Sequence, residues 1–248
     1  MVSRLVKNGV IAGATVLGLE AAYAVLRPTP ELPDFDPSSE FGNPADPMLR
    51  VAALGDSSVT APGVAGPEEI WITLICERLA ATHHVILESF AIGGSMAHNV
   101  IDDQMKDAIL FRPDLVFVSV GANDVIKGVR RRTFEEHLDQ LIGEIAETGA
   151  KVIQSGVGEL GSIPRLYPPL ANLMSRRARR FDDVHWKVAE THDTNVVHQR
   201  SDNIRVWYDN RDLWAADLFH VSAAGHARWA DTVWATVEPL VYESNGSS

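Results

Sequence analysis

The segment Gly55-Asp56-Ser57-Ser58 directly follows the apolar run Arg50 to Leu54. Glycine permits a sharp turn at the end of a strand, and a serine hydroxyl presented there beside backbone N–H groups is suited to attacking a carbonyl. The same residue types are common turn formers, so this segment alone leaves a plain turn open. Two further segments stand behind apolar runs, Gly93-Gly94-Ser95 and Gly121-Ala122-Asn123-Asp124. A glycine N–H and an asparagine amide are suitable donors to an oxyanion, with a positive-φ loop and a helix cap as the alternatives. Near the C-terminus, Asp217-Leu218-Phe219-His220 sets a carboxylate three residues before an imidazole. That spacing lets the acid bond Nδ1 and fix the tautomer, leaving Nε2 as a base; a surface pair and a shared metal ion stay open as alternatives. The remaining histidines, at 83, 84, 98, 137, 185, 192, 198 and 226, show no HExxH or paired-Cys spacing that would complete a metal site.

These segments need a scaffold, and the chain supplies alternating β-rich and helical patterns. Strands are expected over Arg50 to Leu54, Val85 to Ala91, Leu115 to Val120, Lys151 to Val157 and around Asn195 to His198. Helices are expected near Glu68 to Ala81, Ala97 to Leu110, Thr133 to Glu147, Leu170 to Thr191 and Ala223 to Val237. Thr133 with Glu136 reads as a capping box and Ser222 as an N-cap. The alternation predicts an α/β fold with a parallel sheet, whose ligands bind beyond the carboxyl ends of the strands. The serine, glycine and asparagine segments all follow strands, so they converge on that edge. Loops leaving it, Thr60 to Glu69, Gly158 to Leu170 and Ser201 to Ala216, would wall a pocket; Ile163, Leu166, Tyr167, Leu170, Trp207, Tyr208 and Trp214 are candidates for an acyl pocket or for plain sheet-edge core.

At 248 residues with 46% hydrophobic content the chain suits one compact catalytic-size domain, expected over 49–241. A net charge of -11 disfavours nucleic acid as a partner. The basic runs around Arg130 and Arg176 read as solvated helix faces, and the single cysteine, Cys76, as a buried thiol that excludes an intrachain disulfide. Residues 1–27 combine Arg4 and Lys7 with an apolar run and the stretch Ala22-Tyr23-Ala24, the order of a signal peptide or membrane anchor. Export or anchoring outside the cytoplasmic membrane is the expectation, with an amphipathic helix on a cytoplasmic domain as the alternative. Residues 28–48, rich in Pro, Asp and Ser, read as a linker, and 242–248 as a flexible tail.

Together, Gly55-Asp56-Ser57-Ser58, Gly94, Gly121-Ala122-Asn123-Asp124 and Asp217-Leu218-Phe219-His220 resemble the four blocks of the SGNH (GDSL-like) hydrolases, in their order and over about Leu49 to Leu240. The resemblance implies a three-layer α/β/α, flavodoxin-like fold with a five-stranded parallel sheet in the order 2-1-3-4-5. It also implies Ser57 as nucleophile and backbone oxyanion donor, Gly94 and Asn123 as the other oxyanion donors, His220 as base and Asp217 as its orienter. No cofactor or metal is implied. The expected activity is hydrolysis of carboxylic esters, short-acyl or O-acetyl ones favoured, through an acyl-serine intermediate. Acyl transfer or lipase action on sugar or lipid esters uses the same residues, and a noncatalytic binding module would be expected to lack one of them. Ser58 departs from the family's Leu and Ser89 from a frequent Asn, and the GxSxG elbow of α/β-hydrolases is absent.

Overall fold

The structure is a computed structural model that describes residues 2–197 and 204–242, with side chains continuous from residue 13. In chain order its elements are α1 (Val2–Leu26), β1 (Ser39–Phe41), β2 (Met48–Gly55), α2 (Ser57–Thr60), α3 (Trp71–Leu79), β3 (His84–Ser89), α4 (Ala97–Val100), α5 (Lys106–Leu110), β4 (Leu115–Ser119), α6 (Ala122–Ile126), α7 (Arg131–Ala146), β5 (Lys151–Ser155), α8 (Leu170–His192), β6 (Asn195–Val197), α9 (Arg205–Asp209) and α10 (Ala223–Tyr242).

The described strands form one sheet in the order β1-β3-β2-β4-β5-β6. The five strands from β2 onward are parallel and follow the expected order, while β1 is added antiparallel at the edge, with Ser39 opposite Leu87. This sixth strand lies inside the segment read as a linker. A three-residue Ser-Glu-Phe run carries no periodicity of its own, and pairing with the free edge of β3 is what makes it a strand.

Strand residues alternate between two cores, as side chains on a pleated backbone must. Ala52, Leu54, Val116 and Val118 face α4, α5, α7 and α8. Val51, Ala53, Leu115 and Phe117 face α3 and α10, where Trp71 stacks on Trp229 at 5.4 Å. Both faces of β2 and β4 are thus covered, giving the three layers. His185 from α8 bonds Gln154 through Nδ1 at 3.0 Å and the Val120 carbonyl through Nε2 at 3.2 Å, tying the ends of neighbouring strands together. Burial lowers its pKa to about 4, so it is neutral. Cys76 is buried, which pushes its thiol pKa up.

Several boundaries differ from those read in the sequence. Helix α7 starts at Arg131 on the extended Arg130, so Thr133 is already inside it and no capping box forms; Glu136 bonds Arg132 instead. Ser222 does cap α10, accepting from Gly225 N–H at 3.3 Å. Helix α10 runs through to Tyr242, whose ring meets Trp234 at 6.3 Å, so this first residue of the expected tail is packed. The rest of that tail, and His198 of the last expected strand, lie outside the described residues. No helix among the described residues is long and apolar enough to cross a membrane. Within α1, Leu17, Glu20 and Ala24 are its half-buried residues from Val16 on, and the spacing marks one narrow face turned to the domain.

Candidate active site

Strand β2 delivers Ser57 to the carboxyl edge of the sheet through a backbone that requires glycine. Gly55 has φ +151, and a Cβ there would stand 2.1 Å from the Ser119 carbonyl oxygen on the neighbouring strand. The next residue, Asp56, caps α2 by accepting from Ser58 N–H at 2.9 Å, which fixes Ser57 as the first residue of that short helix. Ser58, where the resemblance leads one to expect Leu, donates to Ser119 Oγ at 2.7 Å, so the departure is matched by a polar partner on β4. Beneath this turn, Gln104 accepts from Gly55 N–H and donates to the Gly55 carbonyl, both at 2.9 Å, and also donates to Ser95 Oγ at 3.1 Å. A single buried amide thereby joins the serine turn to the glycine loop.

Gly94 adopts φ +80, the conformation for which a glycine is favoured. Its loop is held by three side chains from elsewhere. Gln104 binds Ser95 Oγ, Asn123 donates to the Ser95 carbonyl at 3.1 Å, and Lys127 donates to the Gly94 carbonyl at 2.9 Å. Asn123 enters from α6 and also donates to Asp56 Oδ2 at 3.0 Å. Its amide nitrogen therefore bridges the serine and glycine segments. Burial raises the pKa of Asp56, against the hydrogen bonds from Ser58 and Asn123. Burial likewise raises that of Asp124, whose Oδ1 is buried without a partner.

Opposite stands the Asp217–His220 turn. Asp217 Oδ2 lies 2.6 Å from His220 Nδ1, and Oδ1 accepts from the backbone N–H groups of Phe219 and His220, each at 3.0 Å. Burial would raise the Asp217 pKa, but the imidazole and the two N–H groups outweigh it and hold it at about 2. The carboxylate is thus ionised and its imidazole partner oriented, with Nδ1 engaged and Nε2 free of it. Among the described residues no hydrogen bond joins Ser57 to His220, but both line one cleft, which encloses about 860 Å³ including its open mouth.

The apolar side of the cleft is made by Leu160, Ile163, Trp207, Trp214, Phe219 and Val221. Ile163, Trp207 and Trp214 are where the loop reading put them; Leu166, Tyr167, Leu170 and Tyr208 do not line the cleft. Neither Gly94 nor Asn123 lines it, although Asn123 is bonded to the lining residue Asp56. A residue that spacing did not single out, His226, does line it. Its Nδ1 accepts from Trp71 N–H at 3.3 Å, and burial, with His220 nearby, lowers its pKa to about 3. It is therefore neutral with its proton on Nε2. Among the described residues no cluster of three His, Cys, Asp or Glu could hold a metal.

A parallel α/β/α sandwich carrying a serine turn and an Asp–His pair on one sheet edge is the architecture of a carboxylic ester hydrolase of SGNH type. Residues 53–228 match the GDSL-like Lipase/Acylhydrolase family, and the chain belongs to it. It is 24% identical over 192 residues to the esterase TesA of Pseudomonas aeruginosa, covering 76% of this chain and 87% of that one. The crystal structure of TesA superposes with a TM-score of 0.63 at 23% identity, covering 77% of this chain and 99% of that one. An acetyl xylan esterase, AlAXEase, superposes at 0.60 with 22% identity over 76% of this chain and all of its own, 100%. Axe2, an acetylxylan esterase from Geobacillus stearothermophilus, does so at 0.59 with 19% identity, covering 76% of this chain and 94% of its own.

Proposed function

We propose that the protein hydrolyses carboxylic esters through an acyl-serine intermediate, with Ser57 as nucleophile, His220 as base and Asp217 as its orienter. The observation that carries this reading is the 2.6 Å Asp217–His220 pair sharing a cleft with Ser57. His220 Nε2 takes the Ser57 proton as Oγ attacks the carbonyl carbon, then returns it to the departing alcohol; water repeats the cycle on the acyl-serine. The Ser57 and Gly94 N–H groups and the Asn123 amide donate to the oxyanion. Asn123 already donates to Asp56 and to the Ser95 carbonyl, so its contribution comes by sharing or exchanging one of these bonds. No cofactor takes part in these steps.

The apolar wall of Leu160, Ile163, Trp207 and Trp214 supports an acyl-binding role, and its three large rings, counting Phe219, favour short acyl groups such as acetyl over long chains. Positive charge ahead of the apolar run of α1 supports placement of the domain outside the cytoplasmic membrane. Labelling with a fluorophosphonate probe and mapping the modified peptide tests the reading directly: modification at Ser57, lost in His220→Ala, is expected. Labelling elsewhere, or none, overturns it. A p-nitrophenyl ester series should give a kcat/KM that falls beyond roughly six acyl carbons, whereas rates climbing to palmitate would make the protein a lipase. A reporter active only after export, fused behind residues 1–48, tests placement, and a silent but expressed fusion overturns it.

A further inference from the structure

Between the acid and the base of the site lies Leu218 with φ +64, the left-handed conformation, which a bulky side chain adopts only when its surroundings impose it. Both carbonyls that flank this bond pair are held by one residue. Arg165 Nη1 donates to the Asp217 carbonyl at 3.1 Å, and the Arg165 backbone N–H donates to the Leu218 carbonyl at 3.1 Å.

Arg165 is itself unusual. It is 8% exposed, and among the described residues it has no carboxylate partner. Its charge is instead met by carbonyl oxygens, since Nε donates to Ala24 and Nη2 to Arg27, at the C-terminal end of α1. A guanidinium fork suits this place, because the last carbonyls of a helix lack partners within it and carry the negative end of its dipole. A second tie fixes the same helix: Glu20 Oε2 accepts from Leu170 N–H at 2.9 Å, at the start of α8, whose first turn has no acidic residue of its own. Tyr23 also meets Tyr167, with ring centroids 6.2 Å apart. Glu20 thus has a partner on the domain that explains a carboxylate inside an apolar helix.

Resting on the ester-hydrolase reading above, we propose that Arg165 is a positioning residue that clamps the strained Asp217–Leu218 turn, and that the C-terminal end of α1 completes the clamp and so remains part of the working enzyme. Removing α1 through Ala24 or Arg27 would take away carbonyls that hold the guanidinium and open it to water, directly behind the residue that orients the base. The clamp acts on the geometry of the imidazole, so its loss lowers kcat more than it changes KM.

The test is a double-mutant cycle in the full chain between Arg165→Met and Leu218→Gly, with kcat, KM and the rate of fluorophosphonate labelling measured on folded protein. Glycine takes the left-handed conformation freely, so it removes the need for a clamp. Arg165→Met is expected to lower kcat and labelling by about tenfold in the native background, and by less than about threefold when position 218 is glycine. Equal losses in both backgrounds, or a kcat within about twofold of the native enzyme, overturn the clamp. If Arg165→Met does not fold, Glu20→Leu loosens α1 while leaving Arg165 in place. A several-fold fall in kcat that Leu218→Gly absorbs is then expected, and an unchanged kcat overturns the role of α1. A native enzyme that the probe does not label at all would instead sink the hydrolase reading, a separate outcome.

Discussion

Ser57 is held at the end of a strand buried on both faces, whereas Asp217 and His220 stand in a turn that belongs to no strand and contains a left-handed leucine. On the serine side the restraints come from the sheet and its immediate neighbours: the Gly55–Ser119 approach, the Asp56 cap and the buried Gln104 amide. On the histidine side they come from the periphery, through Arg165 and the last carbonyls of α1, with Ala215 N–H bonding the His220 carbonyl at 2.8 Å. One half of the site is therefore as stable as the fold itself, and the other is only as well placed as a few polar ties make it. Loss of a supporting residue in the first should show mainly as lost stability. Damage to the second should show as lost turnover in a protein that still folds.

The chemistry itself sets the largest effect. Ser57→Ala and His220→Ala should each reduce turnover on p-nitrophenyl acetate by about a thousandfold or more with thermal unfolding little changed; near-native turnover in purified Ser57→Ala would remove it from the mechanism. Next comes the residue that bridges the two halves of the serine side. Asn123→Ala should lower kcat by roughly a hundredfold while moving KM less, since the charge its amide is asked to bind exists mainly in the transition state. A pure KM effect would deny it that role.

Gln104→Leu sharpens the contrast from the stability side. It strands the buried N–H of Gly55 and removes one of two donors from its carbonyl, which keeps Ile92 N–H at 3.2 Å, and a loss of about 2 kcal/mol in urea unfolding is expected. A variant as stable as the native protein would show that the serine turn does not depend on this amide. Acidification probes the buried histidines. His185 and His226 have folded pKa values of about 4 and about 3 against 6.5 when unfolded. Below pH 6.5 the unfolded chain therefore binds protons that the native chain refuses, so stability falls with pH until those lower values are reached. At pH 5 the expected loss is on the order of 2 kcal/mol per histidine. Asp56 and Asp124, with raised pKa values, offset part of it by protonating in the native state. Denaturation midpoints equal at pH 7 and pH 5 in both native protein and an Asp124→Asn variant would contradict this balance. The smallest effect should belong to Ser58→Ala, which deletes the bond to Ser119 and is expected to cost about 1 kcal/mol. A loss as large as that of Gln104→Leu would make this hydroxyl a principal support of the turn.

Much of this organisation is written in short stretches of sequence. Strands β2 and β4 are runs of apolar residues because both their faces are covered, and such runs identify themselves. The Asp217–His220 pair is equally local, since three residues of one turn suffice to bring carboxylate and imidazole together. Tertiary structure alone decided the rest. Ser39–Phe41 became a strand only by meeting β3, and Thr133 failed to cap because α7 could begin two residues earlier. His226 became a neutral donor beside the cleft because the Trp71 backbone reaches its Nδ1. Gln104 acts on Gly55 from 49 residues away and Arg165 on Asp217 from 52. In sequence both are ordinary polar residues, because what a buried amide or guanidinium does is set by which backbone groups it meets, and those partners are brought within reach only when distant segments pack.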